Sequence, residues 1–123
     1  MAWPERLLGL AAAIAGLLGV AASAAAVHSG AGQTLETSAR FLLFHAPALL
    51  AILALIATGR IRPMLGRLAG WVMVLGLVLF SGDLALRALQ GVPLFPMAAP
   101  SGGILLMAGW ALAGLAALVP ERR

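Results

Sequence analysis

The chain has 123 residues, of which 63% are hydrophobic and 10% charged, with a mean hydropathy of +1.06 and a formal net charge of +4. So much apolar surface cannot be hidden in the core of one small water-soluble domain, and the composition is that of a membrane protein. Cysteine is absent, which excludes disulfides and thiolate metal sites, and the basic residues are all arginines beside or between apolar runs, which suits a bilayer surface and not nucleic acid.

Four stretches approach or reach the roughly 20 residues that a helix needs to cross about 30 Å of hydrocarbon. The first runs from about Leu7 to Val27. Its end, "AASAAAVH", carries an A-x-A pattern like a signal-peptide cleavage site, but the run extends well beyond the usual apolar core of about 7–15 residues, and retention is expected. Small residues four apart, Gly9 with Ala13, Ala12 with Gly16 and Ala15 with Gly19, suit close helix approach in a bilayer.

The second stretch runs from Phe41 to Thr58, after a polar segment, "HSGAGQTLETSAR", that reads as a loop. It contains His45 and Pro47. Proline has no N–H, so the carbonyl of Leu43 lacks its helical partner, and this part of the stretch is expected to face the bundle interior.

After the loop "GRIRPMLGR" comes the third stretch, Leu68 to Leu86. Its ten Leu, Val and Phe residues favour insertion by roughly 3–6 kcal/mol, against about 2.5–3.5 kcal/mol for an unpaired Asp at the centre of a span. Asp83 lies only seven residues, about 10 Å, short of Gln90, in the outer third, where Arg87 can reach the headgroups and, at i+4, meet the carboxylate. Ala69, Met73, Gly76, Phe80, Asp83, Arg87 and Gln90 share one stripe, which is expected to meet other helices.

The fourth stretch runs from Gly102 to Val119, behind the loop "RALQGVPLFPMAAPS". Ser101 is suited to cap it, and Gly102 and Gly103 at its N-terminus would leave amide groups open to a carboxylate or another anion. Gly66 with Gly70 and Gly109 with Ala113 repeat the small-residue pattern on the last two stretches.

The expected architecture is therefore an all-α membrane protein: a single four-span domain, residues 1–123, folded as an antiparallel up-down bundle. Arg6, Arg60, Arg62, Arg67, Arg122 and Arg123 fall on one side of that arrangement and Arg40 and Arg87 on the other, so both termini are expected in the cytoplasm. His45, Ser81, Asp83, Arg87 and Ser101 are expected to form one polar cluster near the outer surface. Structural hydrogen bonding between helices is the first reading of that cluster, and a seat for a small ligand such as a quinone head, an ion or a proton the second. His45 and Asp83 offer too few ligands for a metal, with His28 in a loop, and no metal or other cofactor is expected. Ser81 and Ser101 have no nucleophile-elbow setting, and Glu5, Glu36, Asp83 and Glu121 are scattered, so no enzyme activity is expected.

The segments "LLFHAPALLAIL", "VLFSGDL" and "APSGGILLMAGW", with the loop lengths between them, resemble the domain of unknown function 423 / transmembrane protein 256 family of small inner-membrane proteins. By that resemblance Phe44 and His45 correspond to the family's aromatic-histidine pair, Phe80 to Gly82 to its F-S-G, Pro100 with Gly102 and Gly103 to its P-x-G-G, and Gly109 with Trp110 to its G-W. This chain has "GVAASAAAVH" where the family often has G-A-x-G-A-H, and Leu42 where it often has Gln. The resemblance implies a four-helix protein of a bacterial inner membrane with no established activity. Its expected partners are the lipid bilayer and a membrane-protein complex or further copies of itself. An accessory or assembly role leads, with small-ligand, quinone or proton handling as the alternative.

Overall fold

The computed structural model describes residues 1–119 and is all-helical: α1 is Trp3–His28, α2 Gly32–Ala57, α3 Pro63–Gln90 and α4 Ala98–Leu118. All four helices are long and apolar enough to cross a membrane. Glu121, Arg122 and Arg123, the last two of which entered the arginine comparison, lie outside the described residues.

Helix boundaries depart from the expected stretches where polar residues begin a helix. The segment read as a loop between the first two stretches contracts to Ser29–Ala31, and α2 starts at Gly32. Its first turns are polar yet helical because local partners hold them: Arg40 pairs with Glu36 at 2.8 Å, and the Thr37 hydroxyl donates to the Gln33 carbonyl at 3.0 Å. At the other end of the chain α4 starts at Ala98, with the Ser101 N–H bonded to the Met97 carbonyl at 3.0 Å. Gly102 and Gly103 thus fall beyond the first turn instead of opening the helix, and Ser101 is an exposed helical residue that caps nothing. Gly91, in the left-handed conformation at φ 72°, ends α3 by returning its N–H to the Arg87 carbonyl.

The helices pack α1 on α2, α2 on α3 and α3 on α4, and the first turns of α1 also touch α3. Small residues set the spacing. On α1, Gly9, Gly16 and Gly19 face Leu53, Ala46 and Leu43 of α2 in turn, and on α3 Gly66 receives Ile56 and Gly70 receives Leu8. The closest approach is between α3 and α4: a methyl group on Gly102 would run into the Phe80 backbone nitrogen and lie 2.7 Å from the Gly76 carbonyl oxygen. Glycine here admits backbone-to-backbone contact, the mode of association available to helices whose surroundings are as apolar as their own side chains.

Leu8, Leu49 and Met73 are fully buried at the centre of the core, with Leu77 and Leu106 beside them. Ala69, Met73, Gly76 and Asp83 of the α3 stripe are buried as well, so that stripe does meet other helices, and it is α4 that covers Gly76. The outward faces carry large apolar side chains throughout, among them Leu17, Val20, Ile104 and Met107. In water they would be costly to expose at about 25 cal/mol per Å2, whereas against lipid they cost nothing.

Candidate functional site

The polar residues singled out in the sequence resolve into separate groups. The first is built on His45, whose ring is buried between α2 and α4. Trp110 Nε1–H donates to His45 Nε2 at 3.0 Å, which makes Nε2 the acceptor and places the ring proton on Nδ1, where it points at the Phe41 carbonyl 2.7 Å away. Both nitrogens of a neutral imidazole are thereby used. Phe41 stacks on the His45 ring from one helical turn away, and its own ring lies 4.3 Å from that of Phe80 on α3. In the part of α2 around Pro47, His45, Ala46 and Leu49 are buried against the other helices, while the Pro47 ring itself lies on the exposed face.

The second group is reciprocal. Ser38 donates to the Ser81 carbonyl at 2.7 Å and Ser81 donates to the Ser38 carbonyl at 3.1 Å, with both side chains fully enclosed. Each hydroxyl relieves its own desolvation by bonding the neighbouring backbone, and together they fix the register of α2 against α3.

Asp83 is the centre of the third. It has no exposed surface, accepts Arg87 Nε at 2.8 Å, and with its other oxygen accepts the Leu94 N–H at 2.8 Å. The carboxylate therefore ties the last turn of α3 to the loop that leads into α4. Arg87 remains half exposed. His45, Ser81 and Asp83 thus serve three distinct contacts, Arg87 joins only Asp83, and Ser101 joins none of them.

Two ionic contacts were not foreseen in the sequence, the Glu36–Arg40 pair within α2 and a second one between helices. Arg67 binds Glu5 through Nε at 2.8 Å and a terminal nitrogen at 2.6 Å, and the other Glu5 oxygen accepts the Ala2 N–H at 2.7 Å. This fork joins the start of α1 to the start of α3 across 62 positions of sequence, a separation that no periodicity can report. Ser38 was likewise missed, because its segment read as a loop, and so was the pairing of Trp110 with His45.

No buried side-chain polar atom among the described residues lacks a hydrogen-bond partner, and no three His, Asp or Glu residues among them gather where they could hold a metal ion. What the structure does offer is an apolar groove of about 570 Å3 between α1 and α3 with α2 as its floor, lined by residues that include Ile14, Leu18, Leu42, Leu77 and Ala85. Among the described residues its only polar side chains are Ser38 and Ser81, whose hydroxyls are already engaged.

A family described as a protein of unknown function (DUF423) matches residues 10–103, which is most of the chain. This protein belongs to that family. Similar members include the UPF0382 inner membrane protein YgdD of Escherichia coli, 33% identical over 97% of this chain and 95% of its own length. The UPF0382 membrane proteins of Staphylococcus haemolyticus and Staphylococcus epidermidis are 33% and 32% identical over 61% and 68% of this chain. The matched region spans 59% and 66% of those two relatives' own lengths. No solved structure matches the chain. As a DUF423 member with four apolar helices it is a multi-pass membrane protein, and the names of these relatives give a location without an activity.

Proposed function

We propose that the chain is a single four-span domain, an antiparallel up-down bundle with both termini in the cytoplasm of a bacterium, serving as a non-enzymatic accessory or assembly component of an inner-membrane complex. The up-down reading is supported by contacts in which one residue number falls as the other rises: Gly9, Gly16 and Gly19 against Leu53, Ala46 and Leu43, and Met73 and Gly76 against Gly109 and Leu106. The orientation is supported by Arg6, Arg60, Arg62 and Arg67 at one end of the helices against Arg40 and Arg87 at the other.

The observation that carries the accessory reading is that every buried polar side chain among the described residues is consumed inside the chain, leaving large apolar helix faces as its means of contact. Such faces recognise other helices or lipid and perform no chemistry by themselves. Mild extraction of the tagged chain from bacterial membranes, followed by mass spectrometry of what stays attached, tests it: a membrane protein recovered in fixed ratio is expected, and recovery is expected to fall when His45→Ala or Asp83→Ala loosens the bundle. Recovery of this chain alone, folded and without protein partners, contradicts it.

A second reading is favoured by the groove between α1 and α3. At about 570 Å3 it lies within the range of roughly 300–1,000 Å3 typical of small-molecule sites, and its lining suits the tail of a lipid or quinone. The polar cluster once expected to hold such a ligand is not assembled, so a ligand would be recognised by its apolar part. In that case the same extraction yields a stoichiometric small molecule, which Ala15→Phe, filling the groove from α1, displaces while the protein stays folded.

A further inference from the structure

The connection from α3 to α4, residues 91–97, has the sequence GVPLFPM and no charge. Val92, Leu94, Phe95 and Met97 are 49%, 43%, 46% and 65% exposed, an apolar tip that water would not favour. Part of its backbone is withdrawn from water as well: Pro93 and Pro96 have no N–H, the Gly91 N–H returns to the Arg87 carbonyl, and the Leu94 N–H is taken by Asp83. Held by that carboxylate at its middle, and entered and left through left-handed Gly91 and Met97, the loop is fixed in place against the end of α3.

Its depth follows from α4. At 21 residues that helix is about 31 Å long, barely the thickness of the hydrocarbon, so its first residue, Ala98, lies at the hydrocarbon edge and the loop at the headgroup boundary. The other connection at this end, Ser29–Ala31, leads into exposed Gln33, Thr34 and Glu36 and is polar. At the base of the apolar loop stands Arg87. Its Nε is committed to Asp83, while its two terminal nitrogens make no hydrogen bond within the described residues.

We infer that the α3–α4 loop and Arg87 form a phospholipid contact: the four apolar side chains enter the upper acyl region of the leaflet, and the free edge of the guanidinium binds a headgroup phosphate. The loop surface is continuous with the lipid-facing side of the helices, and an arginine edge complements a phosphate in charge and in fork geometry. This inference is independent of whether the chain serves an assembly.

The absence of cysteine permits a direct test. Phe95→Cys and Thr34→Cys are each spin-labelled and reconstituted into vesicles of phosphatidylethanolamine and phosphatidylglycerol, and collision with oxygen is compared with collision with a water-soluble nickel chelate. The label at 95 is expected to favour oxygen, from a position below the phosphates, and the label at 34 to favour nickel. Equal access of nickel to both labels, or a label at 95 shielded from both reagents because protein covers it, overturns the inference.

For the phosphate, restriction of spin-labelled phosphatidylglycerol by the cysteine-free chain is expected to exceed that of phosphatidylcholine several-fold. The double variant Asp83→Asn with Arg87→Gln, which replaces the ion pair by an amide pair, is expected to lose that preference while the circular dichroism spectrum stays helical. An unchanged preference overturns Arg87 as the contact. Should the double variant not fold, Arg87→Lys, which keeps a cation beside Asp83 without the fork, is expected to reduce the preference, and no reduction counts against it. Reversal by millimolar inorganic phosphate would assign Arg87 a soluble anion instead of a lipid.

Discussion

Asp83 and Arg87 are unequal partners, and the inequality predicts how each fails. Asp83 is fully buried, whereas Arg87 can turn its charge to the headgroups if released. Removing Arg87 leaves a buried carboxylate without its cation, and Arg87→Ala is expected to cost about 3–5 kcal/mol. Asp83→Ala forfeits the Leu94 N–H acceptor and frees the arginine, and is expected to cost less, about 1–3 kcal/mol. Reversible unfolding in detergent micelles compares the two, and an Asp83 variant less stable than the Arg87 variant contradicts the asymmetry. For His45, Trp110→Phe removes the donor to Nε2 while keeping an aromatic ring, with an expected loss of about 0.5–1.5 kcal/mol on the same assay. The pairing of Asp83 with Arg87 was readable because both lie one turn apart on one helix. Leu94 and Trp110 were not, because each meets its partner only in the tertiary fold, Leu94 where the loop turns back on α3 and Trp110 where α4 brings it to His45 of α2.

Helices announced themselves through apolar length, and their ends did not. Gln33 to Arg40 looked like a loop because its side chains are polar, yet a helix that projects past the hydrocarbon has every reason to be polar there, and Leu35, Ser38 and Ala39 on its inner side are buried. Small residues four apart marked faces able to pack closely without naming what they would meet. The structure separates those that matter: Gly102 abuts the backbone of α3, while Gly114 has nothing within 4 Å of where a methyl would be. Gly102→Ala is therefore expected to destabilise by about 1–3 kcal/mol through overpacking. Gly114→Ala should be neutral or stabilise by up to about 1 kcal/mol, as replacing glycine within a helix does. Equal effects of the two would mean that α3 and α4 do not touch where described.

Across the molecule, the two carboxylates buried among the described residues divide the work of holding the chain. Glu5, with Arg67, joins α1 to α3 at the end where both begin, and Asp83, with Arg87, holds the loop at the opposite end of α3. Between these ends α1 and α3 diverge over α2 and leave the groove. Class and helix number were legible in the sequence because lipid as a solvent constrains composition so strongly. The groove was not, since it arises from how far two helices separate, a property of packing that no single stretch encodes. Glu5→Gln is expected to weaken the α1–α3 contact and widen the groove, read as faster labelling of a cysteine placed at Leu77, and unchanged labelling would dissociate the two features.

Membrane passage with alternating helix direction is tested most directly by placing single cysteines at Thr34, Gly59 and Gln90 in the cysteine-free chain and treating intact cells with a membrane-impermeant maleimide. Labelling is expected at 34 and 90, with protection at 59 until the membrane is permeabilised. Labelling at 59 in intact cells, or different outcomes at 34 and 90, would contradict the up-down bundle with both termini inside.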